Sequence, residues 1–380
     1  MSDDRLRIGG RELSIRRPHG GSRGLRGWDA ADELLIEQAL AHLSGKAPQK
    51  LLILDDQFGA ISLALKNYAS VCVADSATLS SAMQLNAEGP PSPVDSWLTP
   101  PDGKFDLVVM RIPRQADYLA WLLRWVNQRL TSQGVIIAGG MIKHLPDRSA
   151  DVFRELVYTR TVCPARKKAR VILAEPGTAT LDDWSDLWRG YPLSDTGPEI
   201  EALPAVFSRR KLDIGTRELL PLVQQASRTL EPGGRVLDLA CGNGVLGLSA
   251  LIQRPDLHVT FSDVSSQALL SARHNLERAL PESEAEFIHC DGAPESLGEF
   301  DLILLNPPFH EGGVVGDHIA LRLFEMSARR LAPGGRLLMV GNRHLGYHQS
   351  LKRSFKRVRQ LAASPKFVVF EASRQEAGRS

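Results

Sequence analysis

The two halves of this 380-residue chain carry the same ordered series of apolar runs and turns. In the first half, a buried-strand run at 51–54 leads through Asp55-Asp56-Gln57-Phe58-Gly59 into the apolar segment 61–65. In the second, the run 235–239 leads through Gly242-Asn243-Gly244 into an apolar segment beginning near Val245. Residues 71–75 then match 259–263, each read as a strand ending in an aspartate, Asp75 and Asp263. Residues 105–109 match 300–304, and 134–137 match 335–338. Order repeated at this scale marks an internal duplication, and strands alternating with helical segments imply mostly parallel sheets covered by helices. The expected fold class is therefore α/β, as two tandem Rossmann-like domains. The stretch 175–204, rich in Gly, Pro, Thr, Ser and Asp, lacks periodicity and separates them. We place the domains at 1–185 and 201–380 with a linker at 186–200. Trp184, Trp188 and Tyr191 in this stretch imply that it packs on something rather than swinging free.

Composition narrows the class. A hydrophobic share of 43% and a charged share of 24% are those of a globular chain, and a net charge of +2 creates no global field for nucleic acid. Basic residues cluster locally instead. Arg5, Arg7, Arg11, Arg16, Arg17, Arg23 and Arg26 crowd the start, Arg166, Lys167, Lys168 and Arg170 form a second knot, and Lys352, Arg353, Lys356, Arg357 and Arg359 a third. Such runs are solvated faces or phosphate contacts, and sequence alone does not choose. Cys72, Cys163, Cys241 and Cys290 are scattered without ligand spacing, which predicts neither zinc nor disulfides. The acidic opening Met1-Ser2-Asp3-Asp4 has no signal-peptide character, and no apolar run nears the ~20 residues of a membrane span. The expectation is a cytoplasmic protein with no metal and no membrane partner.

The copies differ where chemistry would sit. Asp238 and the turn Gly242-Asn243-Gly244 follow a strand, where glycines let backbone approach a ligand without a Cβ in the way. Asp263, ending the next strand, is a candidate acceptor for both ribose hydroxyls of a nucleoside, or else a helix cap. These features suit a nucleoside cofactor, and NAD would fit them too. Asn306-Pro307-Pro308-Phe309 decides the choice. It follows the buried run 302–305, at the binding edge of the sheet. Pro-Pro stiffens the backbone and offers no N–H, so carbonyls there are aimed outward. The Asn306 side-chain oxygen and the Pro307 carbonyl can receive the two hydrogens of an aromatic amine and turn its lone pair toward a sulfonium methyl. Phe309 supplies a ring on which a splayed-out base stacks. The cofactor expected is S-adenosylmethionine. Asp291 is a candidate acceptor for its adenine amine, and Phe207 and Gly215 candidates to close over its methionine end, alongside Asp238 and Asn306.

The first copy has lost these elements. Gln57-Phe58-Gly59 stands for the Gly-Asn-Gly turn, with Phe58 expected to block close approach, and Arg111-Ile112-Pro113-Arg114 stands for Asn-Pro-Pro-Phe. Asp75 remains, as an expected helix cap.

With these residues in hand, the chain resembles the duplicated ribosomal RNA guanine-N2 methyltransferases (the RlmG/RsmC family) of the class I fold. The likeness is carried by the turn 238–244, the motif 306–309, Asn342-Arg343-His344-Leu345, and Phe207-Ser208 with Leu212-Asp213-Ile214-Gly215. The first half, including Trp28 to Glu33, is more similar to large-subunit than to small-subunit members. The resemblance implies methylation of the N2 amine of a guanine in 23S ribosomal RNA, protein-free or partly assembled. It also implies a catalytic C-terminal domain and a degenerate N-terminal one serving folding and RNA recognition. The residues alone leave open a 16S guanine, adenine N6, a protein glutamine, or a non-enzymatic ribosome-assembly protein.

Overall fold

The computed structural model describes residues 5–19, 25–46, 49–308, 310–311, 314–315 and 318–374. The chain divides into two compact units, Met1–Leu187 and Trp188–Ser380. In the second unit, helix α1 (Ile214–Arg228) precedes an alternation of β1 (Arg235–Leu239), α2 (Val245–Gln253), β2 (His258–Asp263), α3 (Ser266–Ala279) and β3 (Ala285–His289). There follow β4 (Phe300–Leu305), α4 (His318–Arg330), β5 (Leu331–Asn342), α5 (Tyr347–Ser354), β6 (Arg357–Ala363) and β7 (Phe367–Ser373). The seven strands lie in the order β3-β2-β1-β4-β5-β7-β6, and β7 is antiparallel to both its neighbours. Leu302 to Leu305 are fully buried, as expected of a strand covered on both faces. The core gathers Leu237, Ile303, Leu305, Phe324, Met339 and Phe370 around the sheet centre.

The first unit repeats this topology. Its strands run Val94–Asp95, Ser70–Val73, Leu51–Leu54, Phe105–Arg111, Leu130–Met141, Ala169–Glu175 and Tyr158–Val162 across the sheet, again with the sixth antiparallel to its neighbours. The duplication expected from sequence is therefore a duplication of topology. One match needs correction. Leu54 pairs with Val73 where Leu239 pairs with Ser262, so Ala74, not Asp75, occupies the place of Asp263. Nor does Asp75 cap a helix by its side chain: helix Thr78–Asn86 follows Ala77 with no side-chain cap.

The stretch between the domains is structured. Trp184 stacks on Trp121 at a centroid distance of 3.6 Å in the first unit. In the second, Arg189–Pro192 and Glu199–Ala202 form an antiparallel hairpin. Residues after it lie along α3, which turns a buried polar ladder toward them at the i, i+4, i+8 spacing of one helix face. Gln267 accepts from the Ala205 N–H (3.2 Å), Ser271 from Leu203 (3.1 Å) and Asn275 from Glu201 (2.9 Å). Asn275 also donates to the Glu201 carbonyl (2.8 Å) and to the Asn243 carbonyl in the Gly-rich turn (2.9 Å). This ladder satisfies backbone groups at the outer edge of the hairpin and in the residues just after it.

Because Asn275 is buried and fully used, its replacement strands three backbone groups. Asn275→Ala is expected to cost about 2–4 kcal/mol of stability, read by urea denaturation of the full chain. A loss below about 0.5 kcal/mol would mean the segment is held by other means.

Candidate active site

In the second sheet, chain order reverses between β1 and β4, so a crevice opens beyond their carboxyl ends. The turn leaving β1 carries left-handed residues at Ala240 (φ 56°), Gly242 (φ 56°) and Gly244 (φ 77°). At Gly244 a Cβ would stand 2.7 Å from that of Ala272, so this glycine serves helix packing. Around Gly242 a Cβ would meet nothing within 4 Å: its backbone borders open space. Asn243 turns its side chain inward, donating to the Tyr191 hydroxyl (3.1 Å) and accepting from Val245 N–H (3.4 Å).

Asp263 ties the turn to β2. Its carboxylate accepts from the Gly242 N–H (2.9 Å) and the Ser265 N–H (2.9 Å), while Ser265, not Asp263, caps α3. Asp238 is 1% exposed. Its Oδ2 accepts from the Gly247 N–H (2.8 Å), and its Oδ1 has no partner among the described residues. Burial pushes its pKa up to about 8. Asp291 lies two residues past β3 rather than ending it, and Arg322 of α4 both pairs with its carboxylate and donates to its carbonyl (3.1 Å).

Asn306 is fixed from two sides. Its Nδ2 donates to Thr216 Oγ1 (2.9 Å) and Asp213 Oδ2 (3.3 Å), the third helical residue and the N-cap of α1. Asp213 is itself held by accepting the Thr216 N–H (2.8 Å). Both amide hydrogens are therefore used, which settles which end of the amide is oxygen. The Asn306 Oδ1 is buried, with no donor among the described residues. A buried acceptor left so costs about 1–3 kcal/mol, a cost that an incoming donor would offset. Pro307 is buried and Pro308 exposed; Phe309 lies outside the described residues. Gly215 packs closely: a Cβ there would sit 3.0 Å from the Phe367 ring, which would have to give by a few tenths of an ångström. Phe207 is 59% exposed in the loop before α1. The sequence reading assigned no part to Asp213, Thr216 and Arg322. The first two were signalled by the capping pattern of an Asp three residues before a Thr; Arg322 carried no local signal.

The corresponding positions of the first unit are filled. Met110 pairs with Leu54 as Leu305 pairs with Leu239, so Arg111 stands where Asn306 stands. Its guanidinium donates to both oxygens of Asp29 (2.9 and 2.9 Å) and to Asp32 (2.5 Å), the N-cap and third residue of helix Ala30–Leu43. Tyr118 donates to Asp55 in the turn (2.9 Å) and accepts from the Trp97 indole (2.6 Å), bridging the strand ends. Phe58 sits under the Arg17 guanidinium, 4.7 Å from its ring centre.

A methyltransferase small domain family model matches residues 198–371, and an RLMG N-terminal domain model matches 3–178. The ribosomal RNA large subunit methyltransferase G of Alcanivorax borkumensis is 38% identical, with 94% of each chain covered. That of Pseudomonas entomophila is also 38% identical, over 94% of this chain and 96% of its own. The chain belongs to the ribosomal RNA large subunit methyltransferase G family. Among solved structures, the 16S rRNA N2 methyltransferase RsmC of T. thermophilus, in complex with AdoMet and guanosine, superposes with a TM-score of 0.75. It is 25% identical and covers 98% of this chain and 97% of its own. The two domain models thus fall one on each unit. Among the described residues there is no group of three His, Cys, Asp or Glu that could hold a metal, and no helix long and apolar enough to cross a membrane.

The raised pKa of Asp238 has a consequence for stability. Between about pH 4 and 8 the folded chain keeps a proton that the unfolded chain releases, so this group's contribution to stability falls as pH rises. Asp238→Asn is expected to flatten that slope in denaturant titrations from pH 5 to 8, and an unchanged slope would contradict the assignment.

Proposed function

We infer that the chain is an S-adenosylmethionine-dependent methyltransferase that modifies the exocyclic N2 amine of a guanine in large-subunit ribosomal RNA. Membership of the methyltransferase G family supports the activity, and one observation carries the site: the partnerless, rigidly held oxygen of Asn306. The residues present suit the cofactor. Open space borders the Gly242 backbone, and Asp238 Oδ1 has no partner among the described residues, so a cationic ammonium beside it would favour the ionised carboxylate. Gly242 and Asp238 would receive the methionine end, Asp263 the ribose and Asp291 the adenine. Gly215 and Asn243 act by shaping the walls, and Phe207, exposed beside α1, would cover the opening. When bound, the cofactor supplies an electrophilic methyl on a positively charged sulfur.

The protein's part is orientation. Asn306 Oδ1 and the Pro307 carbonyl accept the two amine hydrogens, which points the nitrogen lone pair along the transfer axis. The nitrogen gains positive charge as the new bond forms, so both acceptors bind the transition state more strongly than the ground state. Asp213 adds to this: its carboxylate draws on the Asn306 amide hydrogens and makes Oδ1 a better acceptor. Phe309 would stack on the guanine ring, and Pro308 keeps the segment stiff. The first unit, with Arg111 closing its crevice, serves folding and RNA recognition rather than transfer. We assign the domains to 1–185 and 201–380, with 186–200 joining them, place the protein in the cytoplasm, and expect protein-free or partly assembled 23S RNA as substrate, because extruding a base costs least where the strand is unpaired.

Asn306→Ala is expected to lower kcat by about a thousandfold or more, the order of losing a transition-state acceptor, with cofactor affinity by calorimetry nearly unchanged. Turnover near that of the parent would remove Asn306 from the mechanism. Nucleoside mass spectrometry after labelled transfer should yield N2-methylguanosine. Methyladenosine or a labelled protein band would redirect the substrate assignment.

A further inference from the structure

The first unit has lost its crevice but keeps a cationic rim around it. Three neighbouring segments deliver the rim to the carboxyl edge of the sheet. Ile112 donates its N–H to the Gly139 carbonyl (2.8 Å), bringing Arg114 beside the end of strand Leu130–Met141. Gly140 pairs with Arg170 across the next strand, and Ile142 N–H donates to the Lys168 carbonyl (2.9 Å), with Lys143 adjoining. His144 reports the crowding: burial first, then the charges of Arg114 and Lys143, hold its imidazole below the usual value.

Arg114, Lys143, Lys168 and Arg170 are all exposed. Among the described residues, none of the four has a side-chain ion pair or hydrogen bond. Their neighbours differ: Arg166 is paired with Glu37 (2.5 Å) and Lys167 with Glu33 (2.7 Å). The carboxylates beneath the rim, Asp29 and Asp32, are both paired with Arg111. Ile142, 43% exposed, adds an apolar spot among the charges.

The turn that presents Lys168 is informative. Arg166 and Ala169 exchange both backbone hydrogen bonds (3.0 and 2.9 Å) around Lys167 and Lys168, whose φ angles are 51° and 62°. Two consecutive left-handed residues normally call for Asn-Gly, and a lysine pair there sets charge above steric ease.

We propose that Arg114, Lys143, Lys168 and Arg170 form a phosphate-binding surface on the first unit, which grips the sugar–phosphate backbone of the substrate RNA away from the target base. The proposal rests on the reading of the chain as an RNA methyltransferase and adds where the RNA is held. A plugged crevice beneath the rim excludes base insertion, so this surface contributes affinity and position without sequence readout. It also separates the basic clusters by role: paired Arg166 and Lys167 brace the turn, while their unpaired neighbours meet phosphate.

The test uses the full chain with a ribosomal RNA transcript, comparing Arg114→Ala/Lys143→Ala/Lys168→Ala with Lys352→Ala/Arg353→Ala, which removes exposed cations of α5. The triple variant should weaken RNA binding about tenfold or more and reduce the slope of log K against log salt by about two, as expected for lost phosphate contacts on a single strand. Its calorimetric affinity for S-adenosylmethionine and its urea unfolding transition should both match the parent's, the second reading showing that the first unit is intact. Unaltered RNA affinity and slope in the triple variant, or the same loss in the α5 variant alone, would overturn the proposal. A parent chain that bound the transcript but methylated no guanine would overturn the functional reading, and the slope comparison would still decide the surface.

Discussion

The Asn306 amide spends both of its hydrogens on the first turn of α1, and most of the site depends on that expenditure. Asp213 and Thr216 take the N–H groups, so the oxygen is left with no donor among the described residues. Such an oxygen would relax if the chain allowed it. Fully buried Leu302 to Leu305 anchor one side and the capped helix the other, while Pro307 and Pro308 remove backbone freedom just beyond. The fold thereby holds in place an acceptor that is unsatisfied among the described residues.

The two units answer the same steric problem in opposite ways. Strand end, helix N-cap and third helical residue meet in both. With Asn306, Asp213 and Thr216 the meeting leaves one oxygen over; with Arg111, Asp29 and Asp32 two carboxylates and a guanidinium fill it. A buried ion pair adds little net stability, but it cannot lose one partner cheaply. Burial lifts the Asp32 carboxyl above its ordinary range, and the Arg111 guanidinium opposes that shift. The result is a first unit whose crevice is shut by its own charges, with Tyr118 and Trp97 closing the other end.

The Gly-rich turn is held from behind by the same ladder that holds the chain entering the second unit. Asn275 bonds both the Glu201 backbone and the Asn243 carbonyl, so the hairpin, α3 and the turn share one side chain. Asp263 fastens the turn from the other direction. Gly242 and its neighbours in the turn are therefore positioned by polar side chains from two sides.

Much of this was legible in the sequence because it is local. Strand runs, the glycines at left-handed positions, the duplication and Asn306-Pro307-Pro308 each depend on near neighbours and on a repeated order. The pairing of Asp75 with Asp263 was not, since a strand's end is set by its partner's register and one residue of slip leaves the apolar pattern almost unchanged. Nor was the segment taken for a linker, whose hairpin forms on bonds to a helix some 70 residues away in the chain. The sequence by itself determined that there are two α/β units, and that the second alone keeps Asn306 and its glycine turn. Only the tertiary structure decided which atoms of that site are left unpaired. Hydrogen-bond satisfaction is a tally over groups far apart in sequence, and folding alone brings Asp213, Thr216 and Asn306 together.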